Sequence, residues 1–268
     1  MGQVLDTVTF QTTAPGVAAF ATATAAAGDS FTVRNANLAS QVTLLQHWVW
    51  NNAAGTTRIR SPKLHDNVQG IRREIIAAQV DITETFALGQ RLYPQDTLIV
   101  EMEGSATGGQ IETGSMLIYY QDFPGIAGSF IDLNILRANT VNLFSPVINT
   151  TPGVTGGYSG TTAINATEDL YIANTWYAVL GMICTARCAT IAVRGPDTGN
   201  LRCSCPGETL KQDVTARWFA LLTAWYGLPL IPCFNSANKA STFIDIVSNQ
   251  TGTATNVNLM LAQLTGLT

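Results

Sequence analysis

Two histidines, His47 and His65, are the only imidazole groups that this 268-residue chain offers for acid–base chemistry. His47 precedes Trp48 in a stretch where apolar and polar residues alternate, which predicts a packed or edge-exposed strand residue. His65 is followed by Asp66 and Asn67, two residues that suit turn geometry. Neither setting is typical of a general base, so the histidines predict no active site.

The run Gly157-Tyr158-Ser159-Gly160 superficially resembles the nucleophile elbow of hydrolases. An elbow needs a fifth-position glycine and a strand–turn–helix setting, whereas Thr161 follows here within a Thr/Gly-rich run. Dinucleotide-binding, phosphate-loop, zinc-protease and EF-hand motifs are also missing from the sequence. We therefore predict that the protein is not an enzyme and has no catalytic or cofactor-binding residues.

Carboxylate pairs are the next candidates for chemistry. Glu101 and Glu103 are two residues apart in a predicted strand and so share one face, where a solvated surface or a rim cation site explains them equally well. Calcium at a subunit contact would need only oxygen ligands. Asp245 and Glu208 form a second pair, but nothing marks either pair as an acid/base couple. No metal site is assigned, and a bound calcium ion stays an open alternative.

All five cysteines, an odd number, lie in the second half of the chain: Cys184, Cys188, Cys203, Cys205 and Cys233. The even spacings of the first four place each pair on one face of a strand, which favours small buried thiols. A four-cysteine zinc site is an alternative, although the spacings differ from the usual knuckle. A disulfide is a second alternative, so the thiol state stays open.

The composition and charge of the chain indicate which kinds of partner it can bind. Charged residues are 12% of the chain, about half of the usual share, and eleven arginines stand against three lysines, a bias found at protein interfaces. The net charge of −4 and the pI of about 5.1 argue against direct nucleic-acid binding. The N-terminus has no signal-peptide pattern, and no apolar stretch is long enough to span a bilayer.

The second half repeats motifs of the first half in the same order. The matched segments are Gly2-x-Val4-Leu5-Asp6 with Gly128-x-Phe130-Ile131-Asp132, Arg60-Ser61-Pro62 with Arg194-Gly195-Pro196, Asp81-Ile82-Thr83 with Asp213-Val214-Thr215, Ile99 and Met102 with Ile231 and Phe234, and Met116-Leu117 with Met260-Leu261. Offsets that drift slowly are what loop insertions leave in a duplicated domain. The repeat predicts two tandem domains, residues 1–127 and 128–268.

Most of each half reads as short strands bounded by Gly, Asn, Pro and Thr, which predicts antiparallel β-sandwiches. One helix per half is expected, over Asp213–Tyr226 with Asp213 as N-cap and Gly227 as stop, and over Asp81–Leu92. Two low-complexity segments, residues 12–28 and 145–167, are expected to be flexible surface loops.

A tandem all-β duplication with a helix late in each half resembles the double jelly-roll major capsid proteins of tailless icosahedral viruses, including bacteriophages with an internal membrane. The resemblance implies two eight-stranded-type jelly-roll β-sandwiches and a homotrimeric, pseudo-hexagonal capsomer that is made in the host cytoplasm and resides in the virion. Neighbouring capsomers, minor capsid or vertex proteins and the internal membrane would be its partners. The alternative is a two-domain β-sandwich binding module, such as a spike, an adhesin or a carbohydrate-binding protein.

Overall fold

The computed structural model describes residues 2–13, 19–34, 41–51, 55–64, 67–75, 79–80, 89–104, 111–249 and 251–266. The protein is all-β, with antiparallel sheets and a few short helices. His65 and residues 81–88 of the predicted first helix lie outside the described residues.

The N-terminal half, residues 2–123, forms two sheets. Its strands are β1 Gly2–Thr13, β2 Ala21–Thr22, β3 Thr24–Ala25, β4 Val42–Asn51, β5 Gly55–Arg60, β6 Ile71–Ile75, β7 Gln79–Val80, β8 Gln90–Leu92, β9 Ile99–Glu103 and β10 Ile111–Phe123. The large N-sheet has the order β3-β1-β10-β4-β7, and β8 also pairs with β4. The small N-sheet has the order β2-β9-β5-β6.

The C-terminal half, residues 130–264, also forms two sheets. Its strands are β11 Phe130–Ile131, β12 Thr140–Phe144, β13 Val147–Thr150, β14 Tyr158–Ala163, β15 Trp176–Cys184, β16 Cys188–Arg194, β17 Cys203–Gly207, β18 Ile231–Asn235, β19 Phe243–Val247 and β20 Thr255–Leu264. The large C-sheet has the order β11-β18-β15-β20-β12, with β13 also on β20, and the small C-sheet has the order β14-β19-β16-β17. The helices are α1 Leu133–Asn139, α2 Gln212–Thr215 and α3 Trp218–Tyr226, with 3-10 turns at Pro196–Thr198 and Ser236–Ser241.

The two halves share one strand order. In each large sheet the last strand of that half lies in the middle: β10 lies between β1 and β4, and β20 lies between β12 and β15. Each small sheet runs in the corresponding order, β2-β9-β5-β6 and β14-β19-β16-β17. A one-residue bulge also recurs, at Leu45 opposite Leu117–Ile118 and at Leu180 opposite Met260–Leu261. Bulges disrupt the ladder at a fixed place, so their recurrence aligns the halves residue by residue.

Some matches of the sequence repeat fit this alignment and others do not. Arg60 and Arg194 each end the corresponding strands β5 and β16. Met116 and Met260 lie in the corresponding strands β10 and β20 but one position out of register, because the shared bulge aligns Leu117 with Met260. Phe130, however, belongs to β11, which pairs with β18 and has no counterpart in β1. The match of Gly2–Asp6 with Gly128–Asp132 was therefore wrong. Apolar residues recur in every strand, so they cannot show which strands of the two halves correspond.

The match between Ile99 and Ile231 was wrong for the same reason. Ile99 begins β9 of a small sheet, whereas Ile231 begins β18 of a large sheet.

The helices differ from their predictions in detail. The expected second helix is two short helices, α2 and α3, and Gly227 ends α3 in the left-handed region as predicted (φ 65°). Asp213 is inside α2 rather than at its N-cap. Part of the predicted first helix, Gln90–Leu92, is strand β8. Strand β11 runs directly into α1, because the Asp132 carboxylate accepts hydrogen bonds from Asn134 N and Ile135 N and so caps the helix.

The two expected loops contain strands. Residues 145–167 include β13 and β14, and residues 12–28 include β2 and β3, with 14–18 outside the described residues. Threonine-rich sequence favours extended structure as readily as loops, which explains the difference.

The sheets are stacked in layers. One core lies between the two N-sheets and includes Phe10, Ile59 and Met102. A second core joins residues of the large N-sheet, such as Leu5, to both C-sheets. The large N-sheet is therefore buried on both faces. Helices α2 and α3 cover β15 of the large C-sheet, where a Cβ on Gly181 would lie 2.1 Å from the Thr215 carbonyl oxygen, so only glycine allows this approach.

Candidate functional site

His47 and Ser159, two residues considered for chemistry, lie on different strands, β4 and β14. His47 is buried on β4, and burial lowers its pKa to about 3, so its imidazole is neutral. Its backbone carbonyl accepts a hydrogen bond from Arg73. The Ser159 hydroxyl donates to the Val154 carbonyl at 3.4 Å, and Ser159 lies within strand β14 rather than at a strand–helix turn.

Glu101 binds two arginines. Its carboxylate accepts hydrogen bonds from Arg58 Nε at 2.6 Å and from Arg60 Nε at 2.8 Å. Hydrogen bonding from Arg60 is the main reason that its pKa falls to about 2. The described residues contain no group of three or more His, Cys, Asp and Glu side chains that could hold a metal ion.

The five cysteines are buried, as predicted, and their sulfurs are free thiols in this structure. Cys203 and Cys205 share one face of β17. Cys184 and Cys188 do not share a strand as expected: they end β15 of the large C-sheet and begin β16 of the small C-sheet, and their side chains are hydrogen-bonded neighbours across the connection between the two sheets. A hydrogen bond with Cys184, together with burial, raises the pKa of the Cys188 thiol well above its usual range, and burial does the same for Cys205.

The most elaborate arrangement in the molecule is the junction where the small C-sheet covers the large N-sheet. Trp48 of β4 anchors its apolar part. The indole Nε1 donates to the Ala189 carbonyl at 2.9 Å, and the ring packs edge-on against Trp218 with 5.9 Å between centroids. A buried tryptophan with a satisfied N–H combines large apolar contact with a fixed orientation.

A buried ionic network forms the polar part of the junction. The Asp245 carboxylate accepts hydrogen bonds from Arg194 Nε at 2.5 Å and from Arg202 Nε at 3.2 Å, and Arg202 also pairs with Asp29 at 3.4 Å. Burial raises the pKa of Asp29 to about 6, although the Thr9 N–H donates to this carboxylate. Charges withdrawn from water persist only when they are paired in this way.

Tyr158 connects the two sheets. The Arg202 guanidinium lies 3.7 Å from the centroid of its ring, and the Thr9 hydroxyl of the large N-sheet donates to its phenolic oxygen at 2.7 Å. Burial raises the pKa of Tyr158 well above its usual value, so the phenol stays protonated.

The outer face of the small N-sheet carries the counterparts of these groups. Arg60 lies opposite Ile99, two residues before Glu101, just as Arg194 lies opposite Phe243, two residues before Asp245. An aromatic ring under an arginine also recurs, because the Arg58 guanidinium lies 4.0 Å from the ring centroid of Phe20, which precedes β2 as Tyr158 begins β14. The two faces thus carry corresponding groups, and their arginine side chains are about equally exposed, 17–25% on the small N-sheet and 24–27% at the junction.

Exposed apolar side chains gather around β12, at one edge of the large C-sheet. We define the β12 surface as Ile135, Val141, Leu143, Leu170 and Ile172, which are 39–69% exposed. Leu170 and Ile172 flank Tyr171, whose ring packs edge-on against Phe144 of β12 at 6.2 Å. Contiguous exposed apolar side chains mark interaction sites.

No family model and no curated protein matches this chain. One solved structure to which it is similar is that of the PBSX exported protein XepA, at 9% sequence identity over 96% of this chain and 86% of that chain, with a TM-score of 0.28. A similarity of this size says nothing about function.

Sequence reasoning matched Arg60 with Arg194 but missed the junction to which Arg194 belongs. Their carboxylate partners, Glu101 and Asp245, are separated by a different offset than the arginines are, so no single offset pairs both. A search for arginine–carboxylate pairs that recur in the two halves, with the sequence offset between the halves allowed to change along the chain, could have found them.

Two further observations concern partners. All five tryptophans are buried or half-buried. In the part of the chain that the structure describes, no helix has the length and apolar character needed to cross a membrane.

Proposed function

We propose that this protein is a structural subunit of a virion shell, built from two jelly rolls and assembled as a homotrimer. The observation that carries the proposal is the strand order of the two halves. An eight-stranded jelly roll divides its strands between two sheets in the order 1-8-3-6 and 2-7-4-5, which is a double Greek key. The C-terminal half has this order when β12 and β13 are counted together as strand 1. The N-terminal half has the same order when β7 and β8 are counted together as strand 6.

Geometry explains why such a subunit would be duplicated. Two similar sandwiches side by side give a protomer with two lobes, and three protomers give six lobes around a threefold axis. Closed symmetric rings of this kind use one repeated contact and leave no unsatisfied surface. The low share of charged residues, the excess of arginine over lysine and the exposed β12 surface suit a subunit that is surrounded by others.

A two-domain binding module is the competing function. Carbohydrate-binding sites on β-sandwiches commonly present an exposed aromatic ring. In this structure all five tryptophans are buried or half-buried. This observation favours the structural role.

Native mass spectrometry of the full chain separates the two functions. The shell subunit predicts a trimer of the 28.6 kDa chain or larger particles at micromolar concentration. A monomer that stays monomeric as its concentration rises, and that binds glycans on an array, would contradict the proposal.

A further inference from the structure

Three of the buried cysteines meet where the chain passes from the large C-sheet to the small C-sheet. Cys184 ends β15 and Cys188 begins β16, and only residues 185–187 separate them along the chain. Cys205 lies in the middle of β17, which pairs with β16. Burial alone requires only small apolar side chains at these positions, whereas neighbouring thiols can also react with one another.

A β-bulge turns Cys188 toward the other two thiols. Ile191 of β16 lies opposite Cys205 of β17. The register shifts between Cys188 and Thr190, so that Cys188 lies opposite Gly207, which is on the same face of β17 as Cys205. Regular alternation would instead have put Cys188 on the face of Thr190. The bulge therefore brings the Cys188 side chain to the face that carries Cys205.

Gly207 leaves the space in which two of the thiols meet. The Cys184 thiol donates to the Gly207 carbonyl oxygen at 3.3 Å. The sulfur and the carbonyl oxygen of Cys188 lie 2.2 and 2.4 Å from the point that a Cβ on Gly207 would occupy, so only glycine allows this approach. Both sulfurs thus lie against one residue, and the two side chains are hydrogen-bonded to each other. The Cys205 thiol donates instead to the Met182 carbonyl oxygen at 3.6 Å.

We propose that Cys184 and Cys188 are a disulfide-forming pair that fastens the large C-sheet to the small C-sheet in oxidising surroundings. The co-reactant is a small-molecule disulfide. The thiolate of one cysteine attacks a sulfur of this molecule, which forms a mixed disulfide and releases one small thiol. The other cysteine then attacks the mixed disulfide, so that the bond between Cys184 and Cys188 forms and the second small thiol leaves. The pair gives up two electrons and two protons, and the small disulfide takes them up.

The surroundings of the pair determine how fast this reaction runs. Thr185 is exposed, and a cavity of about 210 Å3 that Ala186 and Arg187 help to line lies beside the connection, so a small disulfide can approach. The hydrogen bond with Cys184, together with burial, holds the pKa of the Cys188 thiol well above its usual range. The thiolate is the nucleophile, so the reaction is expected to be slow at neutral pH and faster as the pH rises. A slow reaction of this kind suits a lasting cross-link.

The inference concerns the C-terminal half alone and does not depend on the proposed shell function. Peptide mapping of the folded wild-type protein tests it directly. The protein is incubated with hydroxyethyl disulfide at about pH 8.5, the remaining thiols are blocked with N-ethylmaleimide in denaturant, and the chain is digested with trypsin without reduction. Cleavage after Arg187 puts Cys184 and Cys188 on different peptides, and cleavage after Arg202 puts Cys205 on a third.

We expect the peptide that contains Cys184 to be joined to residues 188–194, with the other three cysteines labelled by maleimide. A bond from Cys205 to either of the two would overturn the pairing. Five labelled cysteines after the oxidation would overturn it as well.

Two alanine variants give a matched comparison. Cys205→Ala removes the third thiol of the cluster and should form the same bond, whereas Cys188→Ala should form none. Oxidation should raise the Tm of wild type and of Cys205→Ala by about 4 °C, because a bond that closes a short loop restricts the unfolded chain. The Tm of Cys188→Ala should not change. A cross-linked wild type that melts no higher than the reduced protein would show that the bond does not fasten the two sheets, which would contradict the proposal.

Discussion

Arg194 lies diagonally across from Asp245 in the same register in which Arg60 lies diagonally across from Glu101. The Asp245 carboxylate is 1% exposed where two sheets meet, whereas the Glu101 carboxylate is 10% exposed on the outer face of the small N-sheet. The two halves thus carry corresponding ion pairs in different surroundings, which allows a comparison within one chain.

The first prediction uses this comparison. Asp245→Ala leaves Arg194 and Arg202 without their shared partner at a buried junction, and we expect a loss of about 3 kcal/mol in the free energy of unfolding. Glu101→Ala leaves Arg58 and Arg60 at the outer face, where water can solvate them, and we expect a loss of about 1 kcal/mol. Urea unfolding of both variants measures the difference. Equal losses would show that the junction does not bury its charges.

The second prediction concerns pH. Burial raises the pKa of Asp29 to about 6 in the folded protein, above its ordinary value of 3.8. A raised carboxyl pKa stabilises the folded state below pH 4, and this stabilisation is lost as the pH rises through 6. Asp29→Asn keeps an acceptor for the Thr9 N–H without the charge, so the variant should gain up to about 3 kcal/mol relative to wild type between pH 4 and pH 7. A difference that does not change with pH would refute this.

Glu101 gives a control of opposite sign. Its pKa falls to about 2 from an ordinary 4.5, chiefly through hydrogen bonding from Arg60. Its stabilisation is therefore present above pH 4.5 and is lost as the pH falls toward 2. Glu101→Gln should lose stability relative to wild type at pH 6 but not at pH 2, which thermal melts at the two pH values can check.

The third prediction is that the halves unfold together. Trp48 of the N-terminal half contacts Ala189 and Trp218 of the C-terminal half, so the junction couples the two cores. Calorimetry of the wild type should show one transition, and Trp48→Ala should cost about 3–5 kcal/mol and divide it into two. Trp48→Phe keeps most of the apolar contact but loses the indole donor, so it should cost only about 1–2 kcal/mol. Two transitions in the wild type would contradict this coupling.

The sequence predicted the all-β class, the buried cysteines and the stop of α3 at Gly227, because strand alternation and a left-handed glycine are local signals. It did not predict which strands correspond: Ile99 and Ile231 fall in different sheets, since strand order depends on contacts distant in sequence. It also missed the junction, because Arg202 lies 173 residues from Asp29 and 43 residues from Asp245, so only the fold brings them together. Leu5 and Leu143 are both strand leucines, and only the packing shows that Leu5 is fully buried and Leu143 is 69% exposed.

Electron cryomicroscopy of the assembled wild-type protein tests the central claim most directly. The account predicts six similar lobes around a threefold axis. Lobes of unlike strand order, or a particle without a threefold axis, would contradict it.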